Sequence, residues 1–251
     1  MKIVGITPAR LESTRLPEKA LVDIMGMPMV VHTCKRAQLA KSLDAVYLAT
    51  DSERIRCVAE EHGINVILTG THHVTGTDRI AEAVGHVDAD IVVNMQGDEP
   101  LVNPDHIDSI VTAMTNDVSV KVALGVTTCT SKNRPSDIKA VLDLQGNVLY
   151  CSRTDLPGDH RTPVDAVQKM CFMVAFREPF LRKFASWSPT PLERIEYNEY
   201  LRILEHGEKI RAVRLEDAKA SVDTPEDLER ARALMAIDPL YRTYGTAETC
   251  T

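Results

Sequence analysis

The 251-residue sequence contains no apolar run approaching the ~20 residues needed to span a bilayer, which argues against a membrane protein. It begins on a strand-like stretch with no charged-then-apolar leader, so a cytoplasmic protein is expected. Positive charge is not in excess either: 29 Lys and Arg stand against 36 Asp and Glu, a net charge of −7. General nucleic-acid binding needs a basic surface, so it is not expected, and any anion site must be local. The six cysteines (Cys34, Cys57, Cys129, Cys151, Cys171, Cys250) never fall in Cys-x-x-Cys spacing and read as reduced thiols. Neither G-x-G-x-x-G nor G-x-x-x-x-G-K-[ST] occurs, which argues against a dinucleotide dehydrogenase and a P-loop NTPase. There is no internal repeat and no low-complexity tract. The length suits one α/β domain, alone or with a sizeable insertion.

What is present alternates between strand and helix signals. Ile3-Val-Gly-Ile6, Ala45-Val-Tyr-Leu-Ala49 and Asn65-Val-Ile-Leu68 read as buried strands; Met29 to Leu39 and Ser52 to His62 carry helical spacing, the latter stopped by Gly63. This β-α-β-α-β order predicts a parallel sheet with right-handed crossovers. Next come a helix from about Asp78 to Val87 with Thr77 as its N-cap, a central strand from Ala89 to Met95, a helix opening at Asn103-Pro104, and a strand from Val118 to Val126. From about Thr127 to Trp187 the alternation becomes irregular, with Pro135, Pro157, Pro163 and Pro179. An inserted lobe of short strands is expected over about 127–190, covering a sheet edge or pairing with a second copy. Leu192 to Glu205 reads as a helix and Ile210 to Leu215 as a strand. Thr224-Pro-Glu-Asp227 opens the last helix with an N-cap, a first-turn proline and two acids that complement the helix dipole. Beyond Asp238, order is expected only where Tyr241 or Tyr244 docks.

Pro8-Ala-Arg-Leu-Glu-Ser-Thr-Arg-Leu-Pro-Glu-Lys19 leaves the first strand at the sheet's carboxyl edge, where open α/β sheets bind ligands. Its two prolines oppose helix, and Arg10, Arg15 and Lys19 on a restrained loop suit a polyphosphate. The plain alternative is a solvated surface loop. Asp98 and Asp223 both fall at strand exits, where paired carboxylates can share a magnesium ion together with substrate phosphate oxygens. Taken singly, each also reads as a turn or capping neighbour. In Thr75-Gly-Thr-Asp-Arg79, Gly76 permits close backbone approach and Arg79 can reach a cleft from the first helical turn. His72 and His73 read as exposed loop residues, since no Cys or His partner stands at zinc-ligand spacing.

Pro8-Ala-Arg-x-x-Ser-Thr-Arg-x-Pro-x-Lys19, Ala49-Thr-Asp51, Gly76-Thr-Asp-Arg79, Asn94-x-Gln-Gly-Asp-Glu-Pro100, Ser152-Arg153 and Val222-Asp-Thr-Pro-Glu-Asp-Leu228 occur in order. Together they resemble the CMP-Kdo synthetase family, the 3-deoxy-manno-octulosonate cytidylyltransferases, from residue 2 to about 235. The resemblance implies an α/β, Rossmann-like nucleotidyltransferase with a mostly parallel central sheet, an inserted acceptor and dimerisation lobe, a homodimer and dependence on Mg²⁺. It implies attack by an acid's oxygen on the α-phosphorus of CTP, with release of pyrophosphate. It assigns Arg10, Arg15 and Lys19 to the triphosphate, Ser13 to the same nucleotide-binding loop, Gly76, Arg79 and Gln96 to the nucleoside, and Asp98 with Asp223 to the metal; Arg15, Lys19 and Asp98 would carry catalysis.

On the acceptor side the sequence departs from that family. Lys169-Met-Cys-Phe-Met-Val174 replaces a Lys/Arg-His-x-Gly-x-Tyr run, and Asn198-Glu-Tyr-Leu-Arg202 keeps Glu199 but puts Tyr200 at a glutamine position. Unpaired sugar hydroxyls would cost roughly 1–3 kcal/mol each in an enclosed site. The expected partners are therefore CTP and a small anionic acceptor, such as the phosphonate used by phosphonoformate cytidylyltransferases. Lys139, Arg153, Glu199 and Tyr200 are the candidate acceptor contacts. Kdo itself is the alternative acceptor, and a nucleotide-binding protein without turnover is the alternative of another class.

Overall fold

The computed structural model describes residues 1–13, 16–158, 161–219 and 221–245. Its strands are β1 (Ile3–Ala9), β2 (Asp23–Ile24), β3 (Met27–Pro28), β4 (Ala45–Thr50), β5 (Asn65–Leu68), β6 (Ile91–Met95), β7 (Val122–Cys129), β8 (Lys139–Leu142), β9 (Val148–Ser152), β10 (Val167–Arg177) and β11 (Arg211–Arg214). The helices are α1 (Met29–Ala37), α2 (Glu53–Glu61), α3 (Gly76–Ala83), α4 (Pro104–Thr115), α5 (Glu178–Ala185), α6 (Pro191–Glu196), α7 (Leu201–Glu205), α8 (Pro225–Ile237) and α9 (Tyr241–Tyr244). The architecture is mixed α/β with a mostly parallel central sheet, and it divides into two compact units.

One unit comprises Met1–Ala89, Asn94–Asp108 and Lys219–Thr251. Its strand order is β1-β4-β5, with the three strands mutually parallel. All seven residues of β1 are buried, as expected for an apolar run covered on both faces. Ala9 lies opposite Thr50, and Thr50 opposite Leu68. That register makes β1, β4 and β5 end in line, so the loops beginning at Arg10, Asp51 and Thr69 leave from one edge. A second cluster joins Ile24, Met29, Leu101, Val222, Leu228 and Met235, drawing α8 against the chain that follows β1. The tail does dock: the Tyr244 hydroxyl lies 3.0 Å from His32 Nδ1.

The other unit comprises Asp90–Val93 and Ser109–Ala218. Its order is β11-β7-β10-β6, with β8 pairing both β10 and β9. β11 runs parallel to β7, whereas β10 runs antiparallel to both β7 and β8. The segment expected to hold only short strands thus contains β10, which is 11 residues long and shifts register between Met170 and Val174.

Two local expectations need correction. Thr75, not Thr77, caps α3: its side chain accepts from the Asp78 amide while Asp78 reaches back to the Thr75 amide. Thr77 is instead buried inside the helix, where its hydroxyl accepts from Asn94 Nδ2 at 3.3 Å. The helix expected from Leu192 to Glu205 is two, α6 and α7, because Tyr197 adopts φ 52° and ends the first with a left-handed cap.

Candidate active site

Three segments meet at the end of β1. A side chain at Gly97 would bring its Cβ to 3.1 Å from the Pro8 carbonyl oxygen, and one at Gly76 would come to 3.1 Å from Pro8 Cγ and 3.7 Å from Gln96 Oε1. Glycine at these two positions is what permits the approach. Gly76 and Gln96, which the family resemblance assigns together to the nucleoside, are therefore neighbours. Gln96 is oriented by donating from Nε2 to Asn94 Oδ1 at 3.2 Å. Arg10 is exposed immediately after β1, and Ser13 is partly buried in the same loop. Arg15 lies outside the described residues.

Lys19, Asp98 and Asp223 converge although they stand far apart in sequence. Lys19 Nζ lies 2.6 Å from Asp98 Oδ2 and 3.0 Å from Asp223 Oδ1. The three side chains are only 18–27% exposed, and the Val222 amide donates to the Asp98 carbonyl at 2.9 Å, which fastens the two acidic loops to each other. Burial opposes the Lys19 charge, but the attraction and hydrogen bonds of Asp98 and then Asp223 outweigh it and raise its pKa. Asp223 is held in turn by Asp227, whose Oδ2 accepts from the backbone amides of Asp223 and Thr224 at 3.2 and 3.1 Å and from the Thr224 hydroxyl at 3.0 Å. Asp227 completes the capping box of α8, so one carboxylate both starts the helix and positions the residue before it. Two carboxylate oxygens that already share one ammonium can also share a compact cation. The donor set is all oxygen, which suits Mg²⁺.

Arg79 is 4% exposed and is fixed on both sides. Its Nη2 donates to Asp51 Oδ2 at 2.9 Å and its Nη1 to Thr69 Oγ1 at 2.6 Å, tying α3 to the ends of β4 and β5. Asp51, the last residue of the Ala49-Thr-Asp51 motif, is the anchor of Arg79.

A family profile described as "Cytidylyltransferase" matches residues 4–210. The chain belongs to the cytidylyltransferase family. The 3-deoxy-manno-octulosonate cytidylyltransferase of Geobacter metallireducens is 39% identical to it, covering 92% of this chain and 96% of its own. The protein of the same description from Anaeromyxobacter sp. is 41% identical, with 95% and 98% covered. Among solved structures, a CMP:2-keto-3-deoxy-manno-octonic acid synthetase complexed with CTP superposes with a TM-score of 0.91 at 34% identity, covering 94% of this chain and 99% of that one. This cytidylyltransferase is thus a CTP-dependent nucleotidyltransferase.

The four candidate acceptor contacts of the cytidylyltransferase lie in the unit that holds β7 to β11. Lys139 is fully buried; its ammonium lies 2.9 Å from Asp155 Oδ1 and donates to the carbonyls of Arg134 and Arg153 at 2.7 and 3.3 Å. The Arg153 guanidinium donates to the carbonyls of Glu196, Pro135 and Tyr197 at 2.8, 2.8 and 3.1 Å. Both cations are engaged within their own unit. Glu199 is partly buried in the turn before α7, and Tyr200 is buried with its ring 6.4 Å from that of Phe176. Met170 and Val174, which replace polar residues of the resembling family, are also buried, Met170 beside Asn198 Nδ2 at 3.5 Å and Val174 paired with Leu124. The apolar replacements therefore serve packing of β10, which weakens the inference from them to a less hydroxylated acceptor.

Proposed function

We propose that this cytidylyltransferase transfers CMP from CTP to Kdo and releases pyrophosphate. The Kdo acceptor is supported by relatives about 40% identical over nearly the whole chain that are described as 3-deoxy-manno-octulosonate cytidylyltransferases. The chemistry rests on one observation, the convergence of Lys19, Asp98 and Asp223 beside the loop that follows β1. The acceptor oxygen forms a bond to the α-phosphorus as the bond to the bridging oxygen of pyrophosphate breaks, and the hydroxyl proton passes to solvent or a base. Mg²⁺, when bound by Asp98 and Asp223, would supply positive charge against the developing charge on the phosphates. Lys19, released from the carboxylates, can then follow the departing pyrophosphate, with Arg10 and Arg15 holding the triphosphate. Gln96 and the Gly76 backbone would contact the nucleoside, kept in place by the grip of Arg79 on Asp51 and Thr69. Action in the cytoplasm as a homodimer belongs to the same proposal.

Pyrophosphate release with CTP and Mg²⁺ tests the acceptor, with Kdo and phosphonoformate compared at equal concentration. Turnover with Kdo is expected. Turnover with phosphonoformate alone would overturn the Kdo assignment and restore the small-phosphonate reading.

A further inference from the structure

We propose that His72, His73 and Glu82 form a second cation site, for a borderline transition metal of the zinc type, apart from the Asp98 and Asp223 pair. The ligand-bearing atoms of the three side chains all lie within 4.8 Å of one another. Tetrahedral zinc with bonds of about 2.0–2.1 Å would bring them to roughly 3.3 Å, a small closure for three side chains that already meet. His73 Nε2 is in hydrogen-bond contact with Glu82 Oε2, so a metal ion would take the place of the proton they share.

Two further features shape the site. The other Glu82 oxygen, Oε1, accepts from the Gly70 amide at 3.0 Å, which orients the carboxylate toward the imidazoles in the way that outer hydrogen bonds orient metal ligands. Gly70 also leaves room for a ligand ring: a Cβ there would meet His72 Nδ1 at 2.5 Å. His72 is exposed while His73 and Glu82 are partly buried, so three protein ligands would leave a position open to water. Two imidazoles and one carboxylate favour zinc-like ions, whereas the all-oxygen pair at Asp98 and Asp223 favours Mg²⁺. No zinc spacing was legible in the sequence because the third ligand is a carboxylate on α3, which folding returns to the loop that carries the histidines.

The site would also act on the fold nearby. Arg79, on the same helix as Glu82, already binds Thr69 at the start of this loop. An ion on His72, His73 and Glu82 would fasten the loop to α3 a second time and so steady the turn that presents Gly76.

The untagged full-length chain, stripped of metal by a chelator, is titrated with Zn²⁺ in excess Mg²⁺, alongside His72→Ala, Glu82→Gln and Asp98→Asn. Wild type and Asp98→Asn are expected to bind one Zn²⁺ with similar affinity and to melt at higher temperature with it. His72→Ala, whose altered side chain is exposed and leaves the fold intact, and Glu82→Gln are expected to bind it about tenfold more weakly or worse. Co²⁺ in the same site should give the visible absorption of a four- or five-coordinate ion in wild type and lose it in His72→Ala. Absence of Zn²⁺ binding by wild type, equal affinity in His72→Ala, or loss of binding in Asp98→Asn in place of His72→Ala would overturn the proposal.

Discussion

The ammonium of Lys19 lies 2.6 Å from Asp98 Oδ2. With Asp223 Oδ1 at 3.0 Å it offsets part of the charge of a carboxylate pair that would otherwise repel, and it stands where a metal shared by the two would compete for the same oxygens. Lys19→Met is therefore expected to bind Mg²⁺ more tightly in the absence of nucleotide, while turnover falls because the lysine no longer meets the leaving group. Isothermal titration with Mg²⁺ and a pyrophosphate-release assay separate the two effects. Unchanged Mg²⁺ affinity would show that ammonium and metal do not share a position.

Asp98→Asn removes one of the two proposed metal carboxylates and the shorter of the two Lys19 contacts. Turnover is expected to drop by about 100-fold or more, with the far-ultraviolet circular dichroism unchanged. Near-normal activity would remove Asp98 from the metal site.

Arg79→Ala strips Asp51 and Thr69 of their partner at a position that is almost closed to solvent. Breaking a buried pair costs roughly 3–5 kcal/mol, and the 19% exposure of Asp51 places this one at the low end, about 3 kcal/mol. A lowered urea midpoint with a raised KM for CTP is the expected result. A raised KM at unchanged stability would mean that Arg79 contacts the nucleotide without bracing the loops.

Asp227 offers a pH-dependent test. Burial opposes its charge, but hydrogen bonds from the Thr224 side chain and from the Asp223 and Thr224 amides outweigh it and lower its pKa from 3.8. A carboxyl depressed on folding adds stability that is fully present above its unfolded pKa and disappears as pH falls through the folded one. Asp227→Asn should accordingly be less stable than wild type by about 1 kcal/mol at pH 7, the two converging as the pH drops below 3.8. Because the Asp223 amide is one of the donors, Mg²⁺ affinity should fall in the same variant. Parallel urea midpoints across acidic pH would show that the carboxylate charge contributes nothing.

Sequence alone revealed the elements whose signals are local. β1, β4 and β5 are short apolar runs between turn residues, and α2 and α8 begin at Ser52 and Thr224, residues that cap helices through their own hydroxyls. It went astray where a distant contact decides. Thr77 and Thr75 are both competent caps, and Thr77 is withdrawn from that role by Asn94. Lys139 carries a charge that ordinarily faces water; Asp155 and two carbonyls enclose it, a pairing that no short spacing announces. The site followed the same division. The basic loop and the two acids were legible as residue types at strand exits, whereas the support of Asp223 by Asp227 and of Arg79 by Asp51 depends on side chains that turn back toward the site.

The backbone bond from Val222 to Asp98 also sets an order of events during synthesis. Asp98 leaves the ribosome well before its partner, and α8 must follow Asp223 so that Leu228 and Met235 can seat against Ile24 and Met29. A nascent chain paused after α4 would display the basic loop and one acid, without the pair. The capacity to share a cation is thus acquired late, as a consequence of α8 closing over a segment made near the start.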